Sequence, residues 1–156
     1  MALILHAGCG GETLPPWFPI KGDEVRLDAN ANVLPKPDIV ASIDNLGDIG
    51  PFDGIFCCHT LEHLHWNDAM LALREFYRVL KPGGSVFIQV PDLEGVVPDD
   101  TVHYVTGHGM EITGFDQFFG YREYSWKNPW MMHRCGFMQS TLAKALEQAG
   151  FDSRAV

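Results

Sequence analysis

The residues able to do chemistry fall at a few recurrent places in the sequence. Gly8, Cys9, Gly10 and Gly11 follow the apolar run Leu3-Ile4-Leu5 with His6 between them, and Asp28 comes eighteen residues after Gly10. Asp44, His59 and Asp92 each follow a further short apolar run. Glycines after a strand allow a sharp bend and a close approach of backbone to a ligand. An acid at this distance, at the end of the next strand, can accept hydrogen bonds from ribose hydroxyls. The competing reading of Asp28 is a turn cap beside Asn30. A second cluster, His59-Thr60-Leu61-Glu62-His63, fits the H-x-x-E-H pattern of zinc hydrolases, with Cys57, Cys58 and His65 close by. On a helix, His59 and His63 would share a face and reach one metal. Against this, the cluster directly follows a strand, and no third ligand with clear spacing is visible. The metal reading is therefore subordinate, and no metal is expected.

The elements that must position these groups follow from hydrophobic patterning. Strands are predicted at Ala2 to Ala7, Glu24 to Leu27, Ile39 to Ile43, Phe52 to Cys58 and Ser85 to Val90, ending near Asp28, Asp44, His59 and Asp92. Pro15, Pro16 and Pro19 forbid a regular helix between the first two strands, so that crossover must be a loop or a single turn. Asn67 to Leu80 is a helix, with Met70, Leu73, Tyr77 and Leu80 at helical spacing, Asn67 as N-cap and Pro82-Gly83-Gly84 as the stop. Val96 to Phe137 is aromatic-rich and weakly periodic and reads as an irregular lid or substrate segment, with a short helical turn over Gly114 to Gly120. A last helix spans Ser140 to Ala149, capped by Gly150, and Phe151 to Val156 reads as a sixth strand. The order implies a single α/β domain over residues 1–156, with a Rossmann-like, mainly parallel sheet of about six strands. In such a sheet the carboxyl ends of the strands share one edge, where ligands bind.

Composition narrows the partners. The chain has 156 residues, 46% of them hydrophobic, enough for a sizeable core. A formal net charge of -9 argues against nucleic acid and anionic membranes, which call for a basic face. Four cysteines, two of them adjacent, form no disulfide framework, which suits a reducing, cytoplasmic location. No secretory leader and no membrane span are expected.

Three stretches carry a family resemblance: Leu5-His6-Ala7-Gly8-Cys9-Gly10 with Arg26-Leu27-Asp28; Phe52 through Leu64; and Ala72 through Gly84 followed by Val90-Pro91-Asp92. Together with Met132-His133-Arg134-Cys135-Gly136-Phe137, they resemble the class I S-adenosylmethionine-dependent methyltransferases, in particular the small predicted, type 11-like kind. The resemblance implies S-adenosylmethionine as cofactor, bound by His6, Gly8, Cys9, Gly10, Asp28, Asp44, Asn45, His59 and Thr60, with Ile43 an alternative neighbour of the adenine. It implies methyl transfer to a small-molecule acceptor. Arg122 and His133 are the candidates for an acceptor carboxylate or phosphate. The sequence departs from the family at four points: His6 stands where an acid is common, the third glycine is replaced by Glu12 or displaced to Gly11, the first crossover helix lacks a counterpart, and so does the antiparallel seventh strand. These departures leave a second reading open, a non-catalytic protein that binds S-adenosylmethionine or S-adenosylhomocysteine, or a partner subunit of the same fold. A missing strand would leave a sheet edge that a second copy of the chain could cover as a homodimer.

Overall fold

The computed structural model describes residues 1–152. Five strands form one parallel sheet in the order β3-β2-β1-β4-β5: β1 is Ala2–Ala7, β2 Gly22–Asp28, β3 Ile39–Val40, β4 Phe52–Cys58 and β5 Leu80–Gln89. Helix α1 spans Trp66–Val79, and α4, the last of four α-helices among the described residues, spans Gln139–Ala149. Side chains alternate between the two faces of each strand. One face carries Leu5, Ala7, Leu27, Ile55 and Cys57, packed against Leu73, Phe76, Leu142 and Leu146 of the two helices. The opposite face carries Ile4, His6 and Phe56, and among the described residues no helix contributes to the cluster on it. Phe18, from the proline-rich crossover, takes that place and meets Phe56 edge-on at 5.3 Å. The first crossover is thus a folded loop whose aromatic side chain does a helix's job. Among the described residues, no helix is long and apolar enough to cross a membrane.

β1 and β4 lie within the expected bounds, but other expectations need correction. β3 ends at Val40, not Ile43. The Ala41 N–H still bonds to Asp28 O at 3.1 Å, but the chain then closes a turn in which Asn45 N–H bonds to Ser42 O at 3.1 Å. α1 begins at Trp66 with His65 as N-cap, so Asn67 lies inside the first turn. β5 begins at Leu80, paired with Phe52. Lys81 to Gly84 bulges out before pairing resumes at Ser85↔Gly54, and Lys81 Nζ binds both Asp53 carboxylate oxygens at 2.8 Å. Pro82-Gly83-Gly84 therefore shapes a bulge rather than a free turn.

The segment 96–137 has more regular structure than its sequence suggested. Antiparallel strands β6 (Val102–Val105) and β7 (Glu111–Thr113) form a hairpin, followed by α2 (Gly114–Phe119) and α3 (Arg122–Ser125). α2 matches the expected turn; Thr113 and Asp116 cap each other's backbone N–H groups there. The sixth strand expected over Phe151 to Val156 falls mostly on residues 153–156, outside the described residues. Phe151 packs edge-on against Tyr77 at 5.3 Å. Phe137 makes a parallel bridge to Asp92 just beyond β5.

His6 is 3% exposed, and its Nδ1 lies 2.7 Å from Glu24 Oε1. Burial pushes its pKa below the usual histidine value of 6.5, against the upward pull of Glu24. The unfolded chain therefore takes up this proton first, and the associated stability falls as pH drops through that value. The unfolding free energy, followed by urea denaturation from about pH 7.5 to about pH 5.5, is expected to fall more steeply for the wild type than for His6→Gln.

Candidate functional site

The carboxyl edge of the sheet is organised by the bend after β1. Gly8 and Gly10 adopt φ values of +69° and +50°, in the left-handed region that glycine enters freely. A Cβ on Gly8 would lie 2.2 Å from Thr60 Cγ2, so the bend and the segment after β4 fit only without it. A Cβ on Gly10 would point into open space. The N–H groups of Gly8 and Cys9 both bond to Leu27 O, at 2.8 and 3.0 Å. That of Gly10 bonds to Asp28 Oδ2 at 2.8 Å, and Asn30 N–H bonds to Asp28 Oδ1 at 2.8 Å.

Arg26, buried beneath the bend, holds its carbonyl side. Its guanidinium donates to Glu12 O and, at 3.0 Å, to Gly10 O. Glu24 Oε1 lies 3.7 Å from the same guanidinium and 2.7 Å from His6 Nδ1. The bend is thus held from β2 by one carbonyl, one carboxylate and one guanidinium from three consecutive residues, and from the segment after β4 by the Thr60 hydroxyl, which donates to Gly8 O at 3.4 Å.

Two cavities meet at this bend. One, of about 230 Å³, is lined by Gly8, Gly10, Asp28, Val33, Ser42, Ile43, His59 and His63. Asn128, Trp130, Met131 and Arg134, from the end of the 96–137 segment, also line it. The other, of about 400 Å³, is lined by His6, Cys9, Glu12, Trp17, Phe56 and Cys58, and shares Gly8, Gly10 and His59 with the first. His59 has φ +48°, a conformation that costs a non-glycine residue energy and recurs at functional sites. Its Nδ1 lies 3.2 Å from Glu62 Oε1, and this hydrogen bond to a buried carboxylate raises its pKa above the usual histidine value. Burial pushes the Cys58 thiol up to about 11 and the Cys57 thiol higher still, so neither is a ready nucleophile.

Residues 5–88 match the methyltransferase domain family. The chain belongs to that family. Solved methyltransferases share its fold. A Mesorhizobium loti S-adenosylmethionine-dependent methyltransferase superposes with a TM-score of 0.62 at 20% identity, over 97% of this chain and 74% of that one. An Archaeoglobus fulgidus S-adenosylmethionine-dependent methyltransferase gives 0.60 at 18% identity, over 97% and 61%. The Burkholderia thailandensis 1,6-didemethyltoxoflavin-N1-methyltransferase, solved with 1,6-didemethyltoxoflavin and S-adenosylhomocysteine, gives 0.56 at 16% identity, over 96% and 60%. This methyltransferase domain therefore spans about three-fifths of the length of the Burkholderia enzyme. No curated protein matches the sequence.

The residues singled out in the sequence of this methyltransferase domain divide by place. Gly8, Gly10, Asp28, His59 and Thr60 line the first cavity together, and Ile43 joins them. His6 and Cys9 line the second cavity, but the His6 imidazole is engaged by Glu24. Asp44 and Asn45 line neither. Asp44 accepts from the Ser42 hydroxyl, and Asn45 is carried out to solvent by the turn that ends β3 early. Arg122 is remote from both cavities, donating to Asp100 at 2.8 Å and Asp116 at 3.3 Å. His133 lines neither, its Nδ1 lying 2.9 Å from Gln117 O. The zinc-hydrolase arrangement does not form. Leu61–His63 is a single 3-10 turn that starts after His59, so His59 and His63 share no helix face. Arg26 and Arg134 were not foreseen as site residues. Arg26 stood within the quoted family motif, but its strand position gave no hint that it would turn back beneath the bend.

Replacing Arg26 with Met keeps the apolar stem and leaves three loop carbonyls, of Gly10, Glu12 and Pro35, without this donor. Arg26→Met is expected to lose on the order of 1–2 kcal/mol of unfolding free energy in urea, since a hydrogen bond to a charged group contributes about 1.5–3 kcal/mol and water reaches these partly exposed carbonyls once the guanidinium is gone.

Proposed function

We propose that this chain binds S-adenosylmethionine across the Gly8–Gly10 bend and transfers its methyl group to a small-molecule acceptor. One observation carries the reading. The N–H groups of Gly8, Cys9 and Gly10 are all consumed by Leu27 and Asp28. Such a bend has no donors there for a pyrophosphate, and no helix follows it to add a favourable dipole. What it offers is a Cβ-free surface beside a carboxylate. That suits a ribose and a cationic cofactor and does not suit a dinucleotide.

S-adenosylmethionine supplies an electrophilic methyl group on a sulfonium, which leaves the protein mainly positioning to do. The Asp28 carboxylate, each oxygen of which already accepts one backbone N–H, keeps lone pairs for ribose hydroxyls. Val33, Ala41 and Ile43 supply an apolar wall for the adenine. Gly8, Gly10 and His59, shared by both cavities, are the residues against which the methionine end would lie. His59 stands beside them, its Nδ1 oriented by Glu62 Oε1. With the proton on Nδ1, its Nε2 keeps the single lone pair and is the nitrogen able to take a proton from an acceptor that displaces its long 3.4 Å contact with Gln89 Nε2. Arg134 is the cation on the cavity wall that suits an anionic acceptor group.

A second reading, a binding protein without turnover, is favoured by the helix-free first crossover. It shares the cofactor site and differs only in lacking methyl transfer. Titration calorimetry with S-adenosylhomocysteine is expected to show saturable binding that weakens about thirtyfold in Asp28→Ala, equivalent to about 2 kcal/mol for a charge-assisted contact. Equal affinity in that variant overturns the ribose assignment. A methyl-transfer assay over an acceptor panel then separates enzyme from binder.

A further inference from the structure

Glu62 is 1% exposed, an unusual place for a carboxylate. Its Oε1 meets His59, whereas its Oε2 has no hydrogen-bond partner. A buried polar atom left unpaired calls for an explanation, such as a missing ion. Two imidazoles stand next to it. A carboxylate oxygen of Glu62 and one ring nitrogen each of His63 and His133 all lie within 4.8 Å of one another. The two rings meet at 60°, with centroids 5.0 Å apart.

The tautomers point the same way. His63 Nδ1 lies 3.0 Å from Met132 O, and His133 Nδ1 lies 2.9 Å from Gln117 O. A carbonyl can only accept, so each Nδ1 carries the proton and each Nε2 keeps its lone pair. Metal-binding histidines are commonly oriented in this way, the second ring nitrogen donating to a backbone carbonyl. The backbone brings the ligands together from distant parts of the chain: the Arg134 and Cys135 N–H groups bond to Glu62 O at 2.8 and 3.2 Å.

We propose that Glu62, His63 and His133 form a site for one divalent transition-metal ion, zinc being the best match to a two-histidine, one-carboxylate donor set. The set leaves a coordination position for water or a ligand. His63 also lines the first cavity, which places the ion at that cavity's rim. The site does not depend on the adenosyl reading and differs from the H-x-x-E-H pattern, because His133 replaces His59.

The test uses the full chain without a histidine tag, stripped by a chelator and titrated with zinc by calorimetry and with cobalt(II) by absorption. The proposal expects one ion per chain, a cobalt spectrum without a thiolate charge-transfer band, and a thermal midpoint raised by zinc. His133→Asn and His63→Asn, on separate segments, should each weaken zinc binding by at least about tenfold and lose the zinc-induced midpoint shift. The thiolate band is informative because Cys135 Sγ lies 3.6 Å from Leu61 O, beside Glu62. No saturable binding by the wild type, equal affinity in both variants, or a thiolate band would each overturn the site. Binding of S-adenosylhomocysteine by the stripped protein is read separately, so failure here leaves the cofactor reading standing.

Discussion

Everything at the ligand-binding edge depends on how β2 grips the bend after β1. Three successive residues do this by three means. The Leu27 carbonyl accepts two N–H groups, the Asp28 carboxylate accepts a third, and the Arg26 guanidinium donates to two carbonyls of the bend and to Pro35 O. Alternation along the strand makes the division possible. Arg26 is sent beneath the bend, Leu27 into the core, and Asp28 sits at the strand end. The glycine bend is thereby a fixed platform. Its polar groups face β2, and its Cα-lined surface faces the space a ligand would take.

That grip compensates for what the fold lacks. In doubly wound sheets, the helix after the first strand packs over one face and presents its N-terminus behind the glycine turn. Here Pro15, Pro16 and Pro19 rule that helix out, and the loop covers the face with Phe18 and the half-exposed Trp17, which meets Phe87 at 5.2 Å. With no helix end behind it, the bend is held mainly by β2, with the Thr60 hydroxyl donating to Gly8 O from the other side. The network running from His6 through Glu24 to Arg26 lies on the same under-covered face. The histidine that stands where the family often has an acid is thus the first member of this supporting chain.

The parts of the structure legible in the sequence were those set by strong periodicity or by proline and glycine. β1 and β4 are near-continuous apolar runs, α1 and α4 carry clear stripes, and the helix-free crossover follows from its prolines. The hairpin of β6 and β7 was not legible, because all four residues of β6 are exposed and so show no alternation. Short-range hydrogen bonding defeated the reading of the end of β3. Ile39 to Ile43 is apolar enough for a strand, but Ser42, Asp44 and Asn45 close a turn among themselves and carry Asp44 and Asn45 away from the cavity. Of the site, the glycines, Asp28, His59 and Thr60 could be placed because they lie at strand ends, whose common edge follows from parallel topology. Asn128, Trp130 and Arg134 could not, since their arrival at that edge is a tertiary event.

The same reasoning explains why the H-x-x-E-H spacing misled. That spacing is informative on a helix, where residues four apart share a face. Here β4 delivers the chain into His59 at positive φ, and only one 3-10 turn follows before His65 caps α1. His59 is thereby placed at the junction of the two cavities, Glu62 is driven into the core, and His63 is left facing a segment seventy residues away in sequence. A linear motif was divided between two jobs by the backbone geometry at its first residue. Glu62 connects the halves, touching His59 through one carboxylate oxygen and lying beside His63 and His133.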